Sequence, residues 1–380
     1  MNILFPNHIQ KMQPYIPGKP IDETQREYGL KKVVKLASNE NPLGPSPKAV
    51  QAIKKNLTEL NLYPDSTAYY LKKALSSKLN VSVDELAIGN GSNELIDLLI
   101  AMVCVPGDQI LTSMGAFVAY KVCAQARGVQ TVETSLTNSL GFDCEKLLFE
   151  IKTKPNIKIV FLPNPNNPTG TFLESSDLES FISKALKLKP DLMIALDYAY
   201  WEYVTNKKIS NPITLYKKYP QLVILQTFSK VYGLAAMRIG YAIGSRELIQ
   251  TLNKIKEPFN VNSLALVAAE AALTDLAFVK KSKSLNEKSK KFWEKNLKKL
   301  SIPYWESQGN FILIDTLQGL GLSGGEVFQL CLRQGVILRP VTNYGLPNAL
   351  RVTFGTDVEN RMAIHAIEKI AKGRIRHGHS

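Results

Sequence analysis

Two short segments carry residue types that could do chemistry together. Gln226-Thr227-Phe228-Ser229-Lys230 closes an apolar run, and Arg238 follows eight residues after Lys230. Alternation puts the hydroxyls of Thr227 and Ser229 on one side, next to Lys230. A lysine taken out of water loses proton affinity, and its neutral amine is a nucleophile toward carbonyl carbon. Arg238 offers a two-pronged contact to a phosphate. Any one lysine taken alone reads as a surface ammonium; the hydroxyls and the arginine set this one apart. Asp197-Tyr198-Ala199-Tyr200 ends a second apolar run. A carboxylate at the end of a buried strand needs a positive partner, and Tyr200 brings a phenol to the same mouth. An aspartate capping the next helix is the competing reading.

Two further segments complete the set. Gly89-Asn90-Gly91-Ser92-Asn93-Glu94 precedes an apolar helix. Glycines before a helix N-terminus expose N–H groups that can hold a phosphate; the segment reads equally as a helix start capped by Ser92 or Asn93. Pro163-Asn164-Pro165-Asn166-Asn167-Pro168-Thr169-Gly170 is a stiff turn whose asparagine amides could donate to a charged ligand oxygen, or simply build the turn. Together the four segments supply a phosphate cup, an acid for a cationic ring nitrogen, an amide and a phenol for a phenolate oxygen, and an amine for a carbonyl. That is the donor set of a pyridoxal 5′-phosphate site, with lysine as Schiff base and aspartate as pyridinium partner.

These segments need elements to position them. Leu86-Ala87-Ile88-Gly89, Gln109 to Thr112, Lys158 to Leu162, Leu192 to Leu196 and Leu222 to Leu225 are apolar, strand-like runs, each ending in a polar or Gly/Pro-rich loop. Helical patterns lie between them. This alternation predicts a parallel α/β sheet covered on both faces, and in such sheets ligands bind at the carboxyl ends of the strands. From about Val261 the texture changes to helices followed by short strands such as Asn310 to Ile314 and Leu350 to Phe354, which predicts a second, smaller α/β domain. The first 35 or so residues are rich in proline and charge and read as an arm.

Composition narrows the classes. The chain has 380 residues and a formal net charge of +14, with 45% apolar and 21% charged residues, an ordinary globular balance. The most apolar stretch, Val261 to Val279, is broken by Glu270 and Asp275, so no membrane span is expected. The first residues lack the basic and apolar regions of a signal peptide. Cys104, Cys123, Cys144 and Cys331 have no metal or redox spacing and suggest a reducing, cytoplasmic setting. Histidine is confined to His8, His365, His377 and His379, so no metal site is expected. The Lys280–Lys299 run is interrupted by Leu285, Phe292, Trp293 and Leu297 at helical spacing and reads as a solvated amphipathic helix. No nucleic-acid motif accompanies it. Positive charge also attracts small anionic substrates. A basic nucleic-acid-binding protein on a degenerate enzyme fold is the alternative from another class.

The sequence resembles the histidinol-phosphate aminotransferase family, among the fold-type I pyridoxal-phosphate aminotransferases. The resemblance runs from about Tyr15 to Ile370. It is carried by Pro14-Tyr15-Ile16-Pro17-Gly18-Lys19, Ser38-Asn39-Glu40-Asn41-Pro42-Leu43-Gly44-Pro45-Ser46-Pro47, Tyr63-Pro64, Asn90 to Glu94, Asn164 to Gly170, Thr227 to Lys230, and Leu350-Arg351 with Gly355. It implies a large, mostly parallel seven-stranded sheet domain between helices and a smaller α/β domain. The division expected is an arm over 1–35, a large domain over 45–260, and a small domain from 36–44 plus 261–375.

The resemblance also implies roles. Lys230 joins the cofactor and shuttles a proton between the substrate α-carbon and C4′. Asp197 keeps the pyridine nitrogen protonated. Asn167 and Tyr200 bond the phenolic oxygen. Thr227, Ser229, Arg238 and the backbone at Ser92 and Asn93 hold the phosphate. Phe117 stacks on the ring, with Tyr120 completing the aromatic-x-x-Tyr pattern. Tyr63 reaches the neighbouring subunit's site, so a homodimer is expected. Tyr15, Asn39, Arg339 and Arg351 bind substrate, two arginines and a phenol suiting a phosphate dianion.

The activity implied is reversible ping-pong transfer between L-histidinol phosphate and 2-oxoglutarate. The chain departs from the family at Tyr198, at Gly115-Ala116 before the stacking aromatic, at Gln226, and at Asn93. Relatives with similar motifs act on aromatic amino acids, so a phenylalanine or tyrosine aminotransferase is an alternative. A decarboxylase of a phosphorylated amino acid on the same scaffold is another.

Overall fold

The computed structural model describes residues 4–12, 18–209 and 211–377. Its strands are β1 (Val34–Lys35), β2 (Leu86–Gly89), β3 (Gln109–Ser113), β4 (Gln130–Thr134), β5 (Ile157–Pro163), β6 (Met193–Asp197), β7 (Leu222–Thr227), β8 (Gly240–Gly244), β9 (Tyr304–Trp305), β10 (Phe311–Asp315), β11 (Val336–Ile337), β12 (Arg339–Pro340) and β13 (Ala349–Thr353).

Seven strands form the large sheet, in the order β2-β8-β7-β6-β5-β3-β4. Every residue of β2, β6 and β7 is buried, as strands covered by helices on both faces require. The pairs from β4 to β7 are parallel, and β8 runs antiparallel to both of its neighbours. That reversal has a consequence for the site. The carboxyl ends of β2, β5, β6 and β7 lie on one edge, and the chain enters β8 from that same edge. Arg238, two residues before β8, is thereby delivered beside them.

The smaller unit has a four-stranded sheet, β12-β13-β10-β9, with all pairs antiparallel, and a two-stranded parallel pair of β1 with β11. Its own core gathers Trp293, Ile312, Ile314, Val352 and Ile367. The helix Leu276–Lys299 is capped by Asp275, whose side chain accepts from the Phe278 N–H. It buries Phe278, Trp293 and Leu297 and turns most of its lysines outward. Each of those large side chains contributes about 1.5–3 kcal/mol by leaving water.

The core corrects two expected boundaries. The helix Ser263–Leu273 belongs with the large sheet, because Ala265, Ala268, Ala269 and Ala272 are buried in its core, where the helix packs against the helices Pro47–Lys55 and Tyr69–Leu79. The small unit therefore resumes near Leu276 rather than at 261. Val34 and Lys35, expected in the arm, pair with β11 and join the small unit.

Residues 36–46 thread between the two units. The Leu36 N–H donates to Ile337 on the small side, and the Asn41 amide bridges Val231 O and Ser282 Oγ, both at 2.9 Å. Ser46 Oγ donates to Asp275 at 2.7 Å. The segment is fixed to both units at once, and it forms one wall of the cavity described next.

Candidate active site

A cavity of about 480 Å³ opens between the carboxyl edge of the large sheet, the threading segment and the small unit. It is lined by Ser92, Asn93, Phe117, Asn167, Asp197, Tyr200, Thr227, Ser229, Lys230, Arg238, Asn39, Arg339 and Arg351. Residues spread over 313 positions thus meet in one volume. Of the site residues expected from the sequence, Tyr15 lies outside the described residues. Tyr63 is not among the lining residues: it is 83% exposed and stacks on Phe259 at 4.8 Å between ring centroids.

At the base stands Lys230, directly after β7. Its Nζ is 3.5 Å from Ser38 O and 5.6 Å from the centroid of the Tyr200 ring. Burial lowers its pKa from 10.5 to about 8; Arg351 and Arg238 push the same way, while Glu40 and Asp197 oppose them. The amine is therefore about half neutral near pH 8, and the neutral form is the one that attacks a carbonyl.

Asp197 ends β6 and is almost wholly buried. Its Oδ2 accepts the Tyr120 hydroxyl hydrogen at 2.7 Å and its Oδ1 the Ala199 N–H at 3.1 Å. Burial raises its pKa; the Tyr120 bond, the Ala199 N–H and the charge of Lys230 pull it down. Buried without a salt bridge to any described residue, the carboxylate suits a cationic ring nitrogen.

The phosphate end is built from a helix start and an arginine. The helix Gly91–Val103 has no side-chain cap at Asn90, so the first N–H groups, including those of Ser92 and Asn93, face the cavity region without one. Gly91 has φ +76°, and a Cβ there would sit 2.5 Å from Arg238 Nη2, so only glycine lets the guanidinium lie across the helix start. Arg238 donates to Ala235 O at 3.0 Å and forms no ion pair with a described carboxylate. Thr227 Oγ1 and Ser229 Oγ are 3.0 Å apart beside it. A charged guanidinium, two hydroxyls and an uncapped helix start make a cup for a dianion.

Two donors face the middle of the cavity. Asn167 Oδ1 accepts from Arg351 Nη1, which leaves the Nδ2 hydrogens of Asn167 to the cavity. Tyr200 Oη accepts from Asn39 Nδ2 at 2.8 Å, and burial raises its pKa to about 12, so it keeps its hydrogen. An amide and a phenol thus offer hydrogens to one region, as a phenolate oxygen needs. The donor set fits pyridoxal phosphate at every functional group of the cofactor.

Arg339 and Arg351 are direct cross-strand partners of β12 and β13, so both guanidinium groups rise from the same face of the small sheet. Like charges placed opposite one another are unfavourable unless anions or acceptors answer them. Arg351 spends part of its capacity on Ala37 O at 2.5 Å and on Asn167. Asn39, expected to bind substrate, lines the cavity while its amide bonds Tyr200 and Thr353. Two contributions escaped the sequence reading: Tyr120, placed there only as the partner of Phe117, holds Asp197, and Glu40, paired with Lys35 at 3.3 Å, lines the cavity and holds the Lys230 pKa up by its charge. Phe117 lines the cavity and meets Tyr120 edge-on at 5.8 Å.

Fold and site together define the class: a pyridoxal-phosphate-dependent aminotransferase of fold type I. The family model for aminotransferase class I and II matches residues 31–367. The histidinol-phosphate aminotransferase of Anaeromyxobacter sp. (strain Fw109-5) is 43% identical over 97% of this chain and 99% of its own. That of Bdellovibrio bacteriovorus is 43% identical over 96% of this chain and 97% of its own. Among solved structures, the histidinol-phosphate aminotransferase of Sinorhizobium meliloti in complex with pyridoxal-5′-phosphate shares the fold with a TM-score of 0.86 at 24% identity, covering 97% of this chain and 98% of that one. The chain belongs to the histidinol-phosphate aminotransferase family, within aminotransferase class I and II.

Among the described residues no helix is long and apolar enough to cross a membrane, and no group of three His, Cys, Asp or Glu side chains could hold a metal ion.

Proposed function

We propose that this protein moves the amino group of L-histidinol phosphate to 2-oxoglutarate, giving imidazole-acetol phosphate and L-glutamate. The observation that carries the substrate choice is the cross-strand pair Arg339 and Arg351, facing the same cavity as Lys230. Two guanidinium groups suit a phosphate dianion, and they also suit the carboxylates of the second substrate, 2-oxoglutarate. The names of the curated relatives point the same way.

When bound, pyridoxal phosphate supplies an aldehyde carbon that accepts an amine and a ring that withdraws electrons from the substrate α-carbon. The chain does the rest. Arg238, the hydroxyls of Thr227 and Ser229 and the N–H groups of Ser92 and Asn93 would hold its phosphate. Asp197 would hold the ring nitrogen protonated. Asn167 and Tyr200 would donate to the phenolic oxygen, and Phe117 would cover one face of the ring. Lys230, neutral above about pH 8, takes the proton from the substrate α-carbon and returns one. Arg339 and Arg351 orient the substrate so that this carbon lies within reach of Lys230 Nζ.

The reading includes a homodimer in which Tyr63 completes the partner's phosphate cup. It also includes a cytoplasmic setting, which the four free thiols fit.

Turnover of histidinol phosphate, phenylalanine and tyrosine with 2-oxoglutarate tests the substrate. Preference for histidinol phosphate is expected. A higher kcat/KM for phenylalanine would overturn it, as would release of carbon dioxide in place of glutamate. Lys230→Ala is expected to abolish multiple turnover; near-normal turnover in that variant refutes the role of the amine.

A further inference from the structure

Asn39, Asn93 and Asn167 line the cavity, and two of these amides, those of Asn167 and Asn39, are oriented by a neighbour. For Asn167 the neighbour is Arg351, which can only donate, so Oδ1 must accept. For Asn39 it is Thr353, at the end of β13. Thr353 Oγ1 accepts the Asn39 backbone N–H at 3.0 Å and donates its own hydrogen to Asn39 Oδ1 at 2.9 Å, closing a ring. Asn39 Nδ2 is then left to donate to Tyr200 Oη at 2.8 Å.

Turning the amide over would present Nδ2 to Thr353 and strand the threonine hydrogen. Asn39, Thr353 and Tyr200 are all buried, where an unmade hydrogen bond is costly. The ring also needs the unusual backbone of Asn39, whose φ is +54°. Asparagine tolerates that region better than most residues.

The orientation decides what Tyr200 can do. Its oxygen is occupied as an acceptor, and among the described residues its O–H hydrogen has no acceptor, so that hydrogen is left to the cavity. With the amide reversed, Asn39 Oδ1 would face Tyr200 and draw the hydrogen away. Thr353 does not line the cavity and touches no group there except through Asn39.

We propose that Thr353 is a positioning residue: by fixing the Asn39 amide it keeps the Tyr200 hydroxyl a donor toward the cavity. The inference rests on the cofactor reading above, in which that donor meets the phenolic oxygen of pyridoxal phosphate. The charged and titratable groups around Tyr200 are Arg351, Asp197, Tyr344, Lys230, Tyr120 and Tyr203. Those around Lys230 also include Glu40 and Arg238. Thr353→Val leaves all eight in place.

The test titrates the visible absorbance of the protein reconstituted with pyridoxal phosphate against pH. A donor lost from the phenolic oxygen raises the midpoint. Thr353→Val is expected to shift it upward by about one pH unit, the worth of one hydrogen bond to a charged group. Thr353→Ser, which keeps the hydroxyl, is expected to match the wild type. Adding Asn39→Leu to Thr353→Val removes the amide that could capture the hydrogen and should cancel the shift; a merely structural role for Thr353 predicts no such cancellation. Thr353→Ala replaces the valine variant if that one does not fold. A wild-type midpoint in the folded variant, or a shift that persists with Asn39→Leu, overturns the proposal. A wild-type protein that gains no visible absorbance at all overturns the cofactor reading, and this inference with it.

Discussion

Lys230 stands among charges that pull its amine in opposite directions, and burial decides the outcome. Its folded pKa is about 8 against 10.5 for the ordinary side chain. The sign for stability follows. Between about pH 8 and 10.5 the unfolded chain holds a proton that the folded, cofactor-free protein has released, so stability rises with pH across that window. Below pH 8 both states are protonated and the burial cost of the ammonium is fully present. Lys230→Met is expected to flatten this slope in urea unfolding of the cofactor-free protein, with the largest stabilisation at pH 7; an unchanged slope refutes the lowered pKa. Tyr120 gives a second prediction. Its hydrogen bond holds the Asp197 pKa down, so Tyr120→Phe is expected to favour the neutral acid and weaken its hold on the ring nitrogen. A hydrogen bond to a charged group is worth about 1.5–3 kcal/mol, which corresponds to a fall of about 10- to 100-fold in kcat/KM. A change of less than about twofold, on the same scale, would reduce Tyr120 to packing. Lys230, Asp197 and Arg238 were legible in the sequence because charged side chains at the ends of apolar runs need a reason. The Tyr120–Asp197 bond was not, since it joins residues 77 positions apart and nothing local in either segment announces the other.

Element ends were more legible than element partners. The four loops that carry the site follow apolar strands, and the sheet brings those loops to one edge by parallel connection. The direction of β8 was not legible, because Gly-Tyr-Ala-Ile-Gly is apolar from end to end and carries no directional signal. The helix Ser263–Leu273 posed a similar problem. A sequence so rich in alanine and leucine says that the helix is buried, not which core receives it. Its small side chains allow the close approach to the helix Pro47–Lys55 that fixes it to the large unit. At this scale the start of the helix Gly91–Val103 is the sensitive point. Gly91→Ala introduces a Cβ 2.5 Å from the Arg238 guanidinium at a backbone φ of +76°. The strained backbone costs about 1–2 kcal/mol, and the Arg238 guanidinium must shift from its place across the helix start. Affinity of the cofactor-free protein for pyridoxal phosphate, measured by fluorescence titration, is expected to fall at least about tenfold, well beyond the modest loss in Tm. An unaltered affinity would show that Arg238 does not hold the phosphate.

At the scale of the whole molecule, the cavity has arginines at both ends, and the chain carries a formal net charge of +14. One group of exposed apolar side chains stands together. Leu57, Leu60, Leu62, Tyr63, Tyr70 and Phe259 are all exposed and come from one neighbourhood of the large unit. A patch of that composition on one face invites cover by another protein surface, and a second copy of this chain meets the requirement under the homodimer reading. Tyr63 lies in that patch, outside the cavity of its own chain, so under the homodimer reading the phosphate cup it is proposed to complete is the partner's. Two measurements on one variant separate the possibilities. Tyr63→Phe removes only a hydroxyl from a side chain that is 83% exposed in the single chain, so the fold and the dimer should survive, as sedimentation would report. Affinity for pyridoxal phosphate is expected to drop about 10- to 100-fold, the worth of one hydrogen bond to a charged group. A fully active monomer, or a dimeric Tyr63→Phe variant with wild-type cofactor affinity, would show that each chain builds its site alone.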